Sequence, residues 1–364
     1  MKYGLFSSLP QAFLVAALAV SAVAGTAEAQ QSNSNELSAM LLMADGKRQR
    51  GFVQNSNENG VLFSLVQGAP GTGYRWETEA VAVAFDDSDE IMREARAAFL
   101  QGQYDAAAEQ FSQIADQHVI AAHVPNNFAT EARYYHIESL RLTGRWEEIA
   151  AALETPTAKT IPTKLTEFYQ PQFKLNQLWA ALGSGNLDPV KAEIEARQIP
   201  QTGSAKLLNS PAYREMPMRE LVQITFLNAK VNEAAGETDQ ALADYYRTFS
   251  FSYGNDPVMA DLSLKGALAI QSKNPAVQGE EPNPTALRQI QSLAFLYKNA
   301  FAKGTIDPAY EAFAVKPDLP KPPPPKEKAE GAAEEGAADA KPADDAAKTD
   351  DKKGDDKPKE EGKK

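Results

Sequence analysis

His118, His123 and His136 are the only imidazoles in the 364-residue chain. A metal pair on a helix needs its ligands at i and i+4, so that both face one way. His118 and His123 are five apart, in a segment that reads as an inter-helix loop, and His136 stands alone on a helical pattern. Packing or surface roles are expected for them. Carboxylate pairs occur in "FDDSDE", "RWEEIA" and "GEEPNP". Glycoside hydrolysis needs one carboxyl of raised pKa in a cleft opposite a second, whereas these pairs fall in turns or on solvated helix faces. "GAPGTG" (Gly68 to Gly73) contains a G-x-G. A phosphate-binding turn must open a helix whose N-terminus faces the phosphate, but Tyr74-Arg75-Trp76-Glu77 continues as a strand. G-x-S-x-G, a P-loop and H-E-x-x-H are absent, and so is cysteine, which removes thiol chemistry and Cys-ligated metals. No catalytic residue, metal or cofactor is therefore assigned. The expected class is a non-enzymatic protein. The competing class is a hydrolytic or carbohydrate-acting envelope enzyme with an unrecognised helical site.

The ends of the chain set the context. Lys2 is followed by an apolar run, Ala12 to Gly25, that closes on Ala27-Glu28-Ala29. A run this short falls below the ~20 residues of a membrane span, and small-x-small is a signal-peptidase pattern. Residues 1–29 read as an export signal and 30–36 as a linker, so the expected location is the periplasm or cell envelope, with secretion as a variant. A net charge of −12 disfavours nucleic acid, which demands basic surface. Residues 304–364 read as a tail, Pro-rich at Pro322 to Pro325 and then charged. From Lys316 onward it holds 12 Lys and 14 Asp plus Glu, with Leu319 as its only large aliphatic residue. Such composition cannot bury enough apolar surface to offset ordering entropy, so disorder is expected.

Between the ends, the patterning changes once. Residues 37–86 carry apolar runs broken at Asp45-Gly46, Asn55 to Gly60 and Gly68 to Gly73, with period-two alternation through Tyr74, Trp76, Val81, Val83 and Phe85. Five short strands in an antiparallel module are expected. Their rhythm loosely resembles SH3-like small barrels. Helical spacing takes over at Ser88 and holds to about Lys303.

The helical part repeats a grammar. "GQYDAAAEQFSQI" has Gly102, Tyr104, Ala107 and Phe111, with Ala95 in the helix before it. Gly144, Trp146, Ile149 and Leu153 echo it, then Gly185, Leu187, Val190 and Ile194, then Gly236, Ala241 and Tyr245. Gly suits the conformation that ends a helix, and small residues allow close crossing. This pattern resembles the tetratricopeptide repeat (TPR), a helix–turn–helix unit of ~34 residues, although the Gly-to-Gly intervals of 42, 41 and 51 residues are longer. The surplus lies in Pro-, Asn- and Thr-rich segments read as loops or helix extensions. A fifth helix pair, 258–272 and 285–302, lacks the signature.

The expected fold is thus mainly α: an α-solenoid of TPR-like hairpins over 88–303, preceded by the β module. The resemblance implies a scaffold whose first helices line a groove for a protein or peptide partner. Groove positions three, six and ten residues before each turn Gly include Arg96, Tyr134, Arg141, Trp179 and Lys230, the candidate partner-binding residues. Ala95, Gly102, Tyr104, Ala107, Phe111, Gly144, Trp146, Gly185, Gly236, Ala241 and Tyr245 are the expected packing residues.

Overall fold

The computed structural model describes residues 36–199, 214–302 and 306–317. The expected export signal, residues 30–35 of the linker and the tail beyond 317 lie outside the described residues. All described residues belong to one contact unit ending at Pro317. None of its helices is long and apolar enough to cross a membrane.

Five antiparallel strands open the described residues: β1 (Leu37–Met43), β2 (Arg48–Asn57), β3 (Gly60–Ser64), β4 (Thr72–Arg75) and β5 (Ala80–Phe85). They follow a meander whose last strand returns to the first, giving the order β4-β3-β2-β1-β5. Alternation buries Ala39 and Leu41 on β1, Val53 on β2, and Val61 and Phe63 on β3, so one face forms a small core. The module is fastened to the helices behind it. Phe85 meets Phe128 edge to face at 5.2 Å. The Ser56 hydroxyl donates to the Ile120 carbonyl at 2.6 Å and accepts the His123 N–H.

The helices follow as hairpins. The first is α1 (Ser88–Leu100) with α2 (Tyr104–Gln117), and the second is α3 (Phe128–Thr143) with α4 (Trp146–Leu153). After α5 (Pro156–Lys164) and a 3-10 turn at Glu167–Tyr169 come α6 (Gln170–Gly183) and α7 (Asp188–Ala196), then α8 (Met218–Ala234) and α9 (Thr238–Ser252). Four hairpin turns carry Gly102, Gly144, Gly185 and Gly236 at φ of +75°, +78°, +75° and +78°, the left-handed value that any side chain would strain. The first helices α1, α3, α6 and α8 touch in series, and α8 in turn touches α10 (Pro257–Gln271). The array is therefore solenoid-like. Ala95, Ala107, Ala241, Phe111 and Tyr245 are buried, as their packing role requires, and Tyr104 and Trp146 are half-buried.

Three segments differ from the sequence reading. "ETPTAKTIPTK" forms the separate helix α5: Thr155 caps it by accepting the Ala158 N–H, Pro156 starts it, and Ala158 and Ile161 are buried. After α10, the short α11 (Pro275–Gln278) intervenes before α12 (Pro284–Ala300). Residues 306–317, assigned to the tail, contribute α13 (Pro308–Glu311) instead. Asp307 caps it, and Ile306, Tyr310 and Phe313 pack into the core formed by α10 and α12. Apolar residues at i, i+4 and i+7, Ile306, Tyr310 and Phe313, anchor it there.

Close helix crossing also uses glycines outside the repeat grammar. A Cβ at Gly183 would lie 2.3 Å from the backbone carbon of Trp146, so α6 meets α4 backbone to backbone. Gly102→Ala and Gly236→Ala should each lower unfolding free energy by about 1–2 kcal/mol, the cost of a Cβ in left-handed backbone, because nothing lies within 4 Å of either added methyl. Gly183→Ala should cost more than either in urea unfolding. An equal or smaller loss there would contradict the direct crossing.

Candidate functional site

The second hairpin carries two of the five residues expected to line a groove, Tyr134 and Arg141, and both are interior. Glu138 and Arg141, one helical turn apart on α3, are both 2% exposed at the side chain. Arg141 donates through Nε and Nη2 to the two Glu138 oxygens at 3.0 and 2.7 Å. Arg219, from the start of α8, donates to the same carboxylate at 2.5 Å. Burial pushes the Glu138 carboxyl up, but the two guanidiniums outweigh it and hold it below the usual range. Arg141 also lies over the Trp179 ring at 5.9 Å and reaches the Met259 sulfur on α10 at 3.9 Å. Hairpins far apart in sequence therefore close on one cluster.

Aromatic rings continue this interior. Trp146 meets Trp179 at 5.1 Å, Trp179 stacks on Phe226 at 5.4 Å, and Phe226 meets Tyr245 at 5.7 Å. The Trp179 indole N–H donates to Gln223, which exchanges amide hydrogen bonds with Gln172. Tyr134, Arg141 and Trp179 thus sit at 4%, 2% and 0% exposure. The expectation that these three meet a partner is corrected: the array folds far enough onto itself that its own helices occupy their positions. Lys230 is half-buried, paired with Glu233 at 2.9 Å and lying over the Tyr245 ring, so it braces α8 against α9.

Arg96 is the most exposed of the five, with 37% of its side chain accessible. It donates to both oxygens of Glu131 at 3.0 and 3.1 Å and to Asp89 at 3.2 Å. Glu131 also accepts the Tyr169 hydroxyl at 3.3 Å. Around this pair runs a second chain of rings: Phe99 meets Tyr135 at 5.2 Å, Tyr134 meets Tyr169 at 4.8 Å, and Tyr169 meets Phe168 at 5.3 Å. The chain surfaces at Phe168, which is 79% exposed. The face combines an Arg/Glu rim, tyrosine hydroxyls and a protruding phenyl ring. Phe168 was missed because it sits in a 3-10 turn between helices, outside any repeat position. Its available signal was the adjacent pair Phe168-Tyr169 in an otherwise polar stretch.

The histidines are held separately. His118 packs edge to face on Phe128 at 5.1 Å, and the His123 backbone bonds Ser56. His136 lines an open groove with Arg133, Asp116, Arg145 and Glu148. A guanidinium can only donate, so Nδ1 of His136 accepts from Arg133 at 2.7 Å and the ring is neutral. Burial, and then Arg133, push its pKa down to about 4.

Two outcomes follow. Arg141→Ala should cost about 3–5 kcal/mol, the range for removing one partner of a buried ion pair, in a denaturant titration. The unfolded chain takes up the His136 proton near pH ~6.5, whereas the folded chain resists until about 4. This group's contribution is full above the higher value and is lost as pH falls toward the lower one. Thermal midpoints of the wild type should therefore fall more steeply from pH 6.5 to 4 than those of His136→Gln. Parallel profiles would contradict the neutral assignment.

No protein-family model matches this chain, and a search of curated proteins returns no match.

Proposed function

We propose that the chain is an exported, non-enzymatic scaffold of the cell envelope that holds a protein or peptide partner on the aromatic face around Phe168. The TPR-like reading of its hairpins is part of this proposal. It is supported by the four left-handed glycine turns and the serial contact of the first helices. In such stacks each unit rests on its neighbours, and the product is a rigid display surface rather than a reaction chamber.

The observation that carries the reading is the exposure of Phe168 above Tyr169, with Arg96 and Glu131 beside it. Aromatic residues and Arg dominate the energetics of protein interfaces. A phenyl ring that stays in water when tyrosines of the same chain of rings are covered leaves apolar area for a partner to bury. The deeply buried carboxylates have other work. Glu138 binds two guanidiniums, and Asp244 accepts from Asn228, Asn232 and Arg247. Each joins helices to one another.

The test is a photo-crosslinking amino acid at position 168 in the native envelope, read by mass spectrometry, with position 100 as the exposed control. A discrete adduct at 168, lost on Arg96→Glu, is the expected result. Identical adducts at both positions, or none at 168, would overturn the assignment of this face.

A further inference from the structure

A cavity of about 410 Å³ opens where α8 ends, α9 begins and α10 ends. Its volume falls in the range of small-molecule sites. The last residue of α10, Gln271, lines it and is out of balance. Gln271 is 3% exposed, and its Oε1 accepts no hydrogen bond. Its Nε2 donates to the Tyr246 hydroxyl at 3.5 Å, a long and therefore weak bond that leaves the amide loosely held. Buried polar groups of folded proteins almost always have partners, because the hydration they lose is not otherwise recovered. An open acceptor on a cavity wall calls for a donor from within the cavity.

Two carboxylates line the same cavity with acceptors to spare. Glu233, at the end of α8, takes the Lys230 ammonium and the Tyr245 hydroxyl on Oε2, at 2.9 and 2.5 Å, and its Oε1 is left open. Burial pushes the Glu233 carboxyl up, but those two bonds outweigh it and hold the group below the usual range. Asp239, in the first turn of α9, is exposed and has no hydrogen bond or ion pair among the described residues. Lys273 is the one cation among the lining residues, so the balance is 1 − 2 = −1. Leu242, Ile270 and Pro275 supply an apolar wall.

We propose that this cavity binds a primary ammonium carried on a short aliphatic stem. An ammonium has three donors and no acceptor, which matches the three open acceptors: Glu233 Oε1, the Asp239 carboxylate and Gln271 Oε1. Bonds from a cation to a carboxylate are the strong ones, and the stem rests on Leu242, Ile270 and Pro275. The two carboxylates repel an anion. Among the described residues no group of three or more His, Cys, Asp or Glu side chains could hold a metal ion, so the cation is an organic one. A free alkylamine and the lysine side chain of a peptide share this chemistry. The site has no residue in common with the aromatic face around Phe168, so it stands apart from the function proposed for that face.

The test is a heteronuclear NMR titration of the full chain with n-pentylammonium chloride. Saturable shifts are expected at the Gln271 side-chain amide and at the backbone amides of Asp239 and Ile270. Gln271→Leu and the exposed-site variant Asp239→Asn should each weaken binding about tenfold, the loss of one hydrogen bond to a charged group, with circular dichroism spectra that match the wild type. Nα-acetyl-lysine amide, titrated alongside, separates the sources. Binding as tight as that of pentylammonium or tighter assigns a peptide lysine, and weaker binding assigns a free amine. n-Pentanol keeps the stem and removes the charge. Pentanol binding as tightly as pentylammonium would overturn the proposal, as would an unchanged affinity in Asp239→Asn. Absence of saturable shifts in the wild type would overturn it too.

Discussion

A carboxylate buried away from solvent must be neutralised where it sits, and Glu138, 1% exposed, is that carboxylate. Its oxygens are taken by Arg141 from the same helix and Arg219 from α8. Arg141 in turn lies against Trp179 of α6 and Met259 of α10. Four helices from different hairpins are thereby committed to one geometry. Ion pairs of this depth add little net stability compared with apolar packing, but a misplaced partner is costly. The cluster therefore acts on arrangement: it penalises any curvature of the array that would pull α8 or α10 away from α3.

Closure of the array explains where exposed aromatic and polar surface is left. With its inner positions taken up by Trp146, Trp179, Phe226 and Tyr245, the interior is a packed column. Tight approach of the helices depends on absent side chains as much as on present ones. Gly183 lets α6 touch the Trp146 backbone, and Gly266 lies under the Tyr245 ring, which a Cβ would meet at 2.4 Å. The first hairpin stands outside this column and has a separate core of Met92, Ala95, Ala107 and Phe111, capped by Leu37 and Phe85 of the β module. Its exposed margin, from Arg96 to Phe168, is where polar and aromatic groups reach solvent together.

Much of this architecture was legible in the sequence. The five strands followed from turn residues and period-two alternation, although β2 runs to Asn57 and β4 starts at Thr72, inside two of the expected breaks; the hairpin turns followed from Gly102, Gly144, Gly185 and Gly236. These are local signals, since one glycine at positive φ marks one turn. What was not legible depends on tertiary distance. Nothing at Arg141 or Trp179 says how far the array curls, because that is set by residues distant in sequence, such as Arg219 and Met259, the latter 118 positions from Arg141. Helix α5 was hidden by Pro162 and its threonines, residues of low helix propensity, although Thr155-Pro156 offered a cap and a start. Gly183 and Gly266 read as ordinary helix residues until a neighbouring backbone or ring is known.

The claim that buried charge closes the array is tested most directly by native-state hydrogen exchange, resolved helix by helix with increasing denaturant. Closure through Glu138 predicts that the slowest amides of α3, α6, α8 and α10 exchange in one shared opening, with a common free energy and a common denaturant slope. Separate isotherms, with α10 opening at lower free energy and independently of α3, would describe an open stack of units and contradict the account.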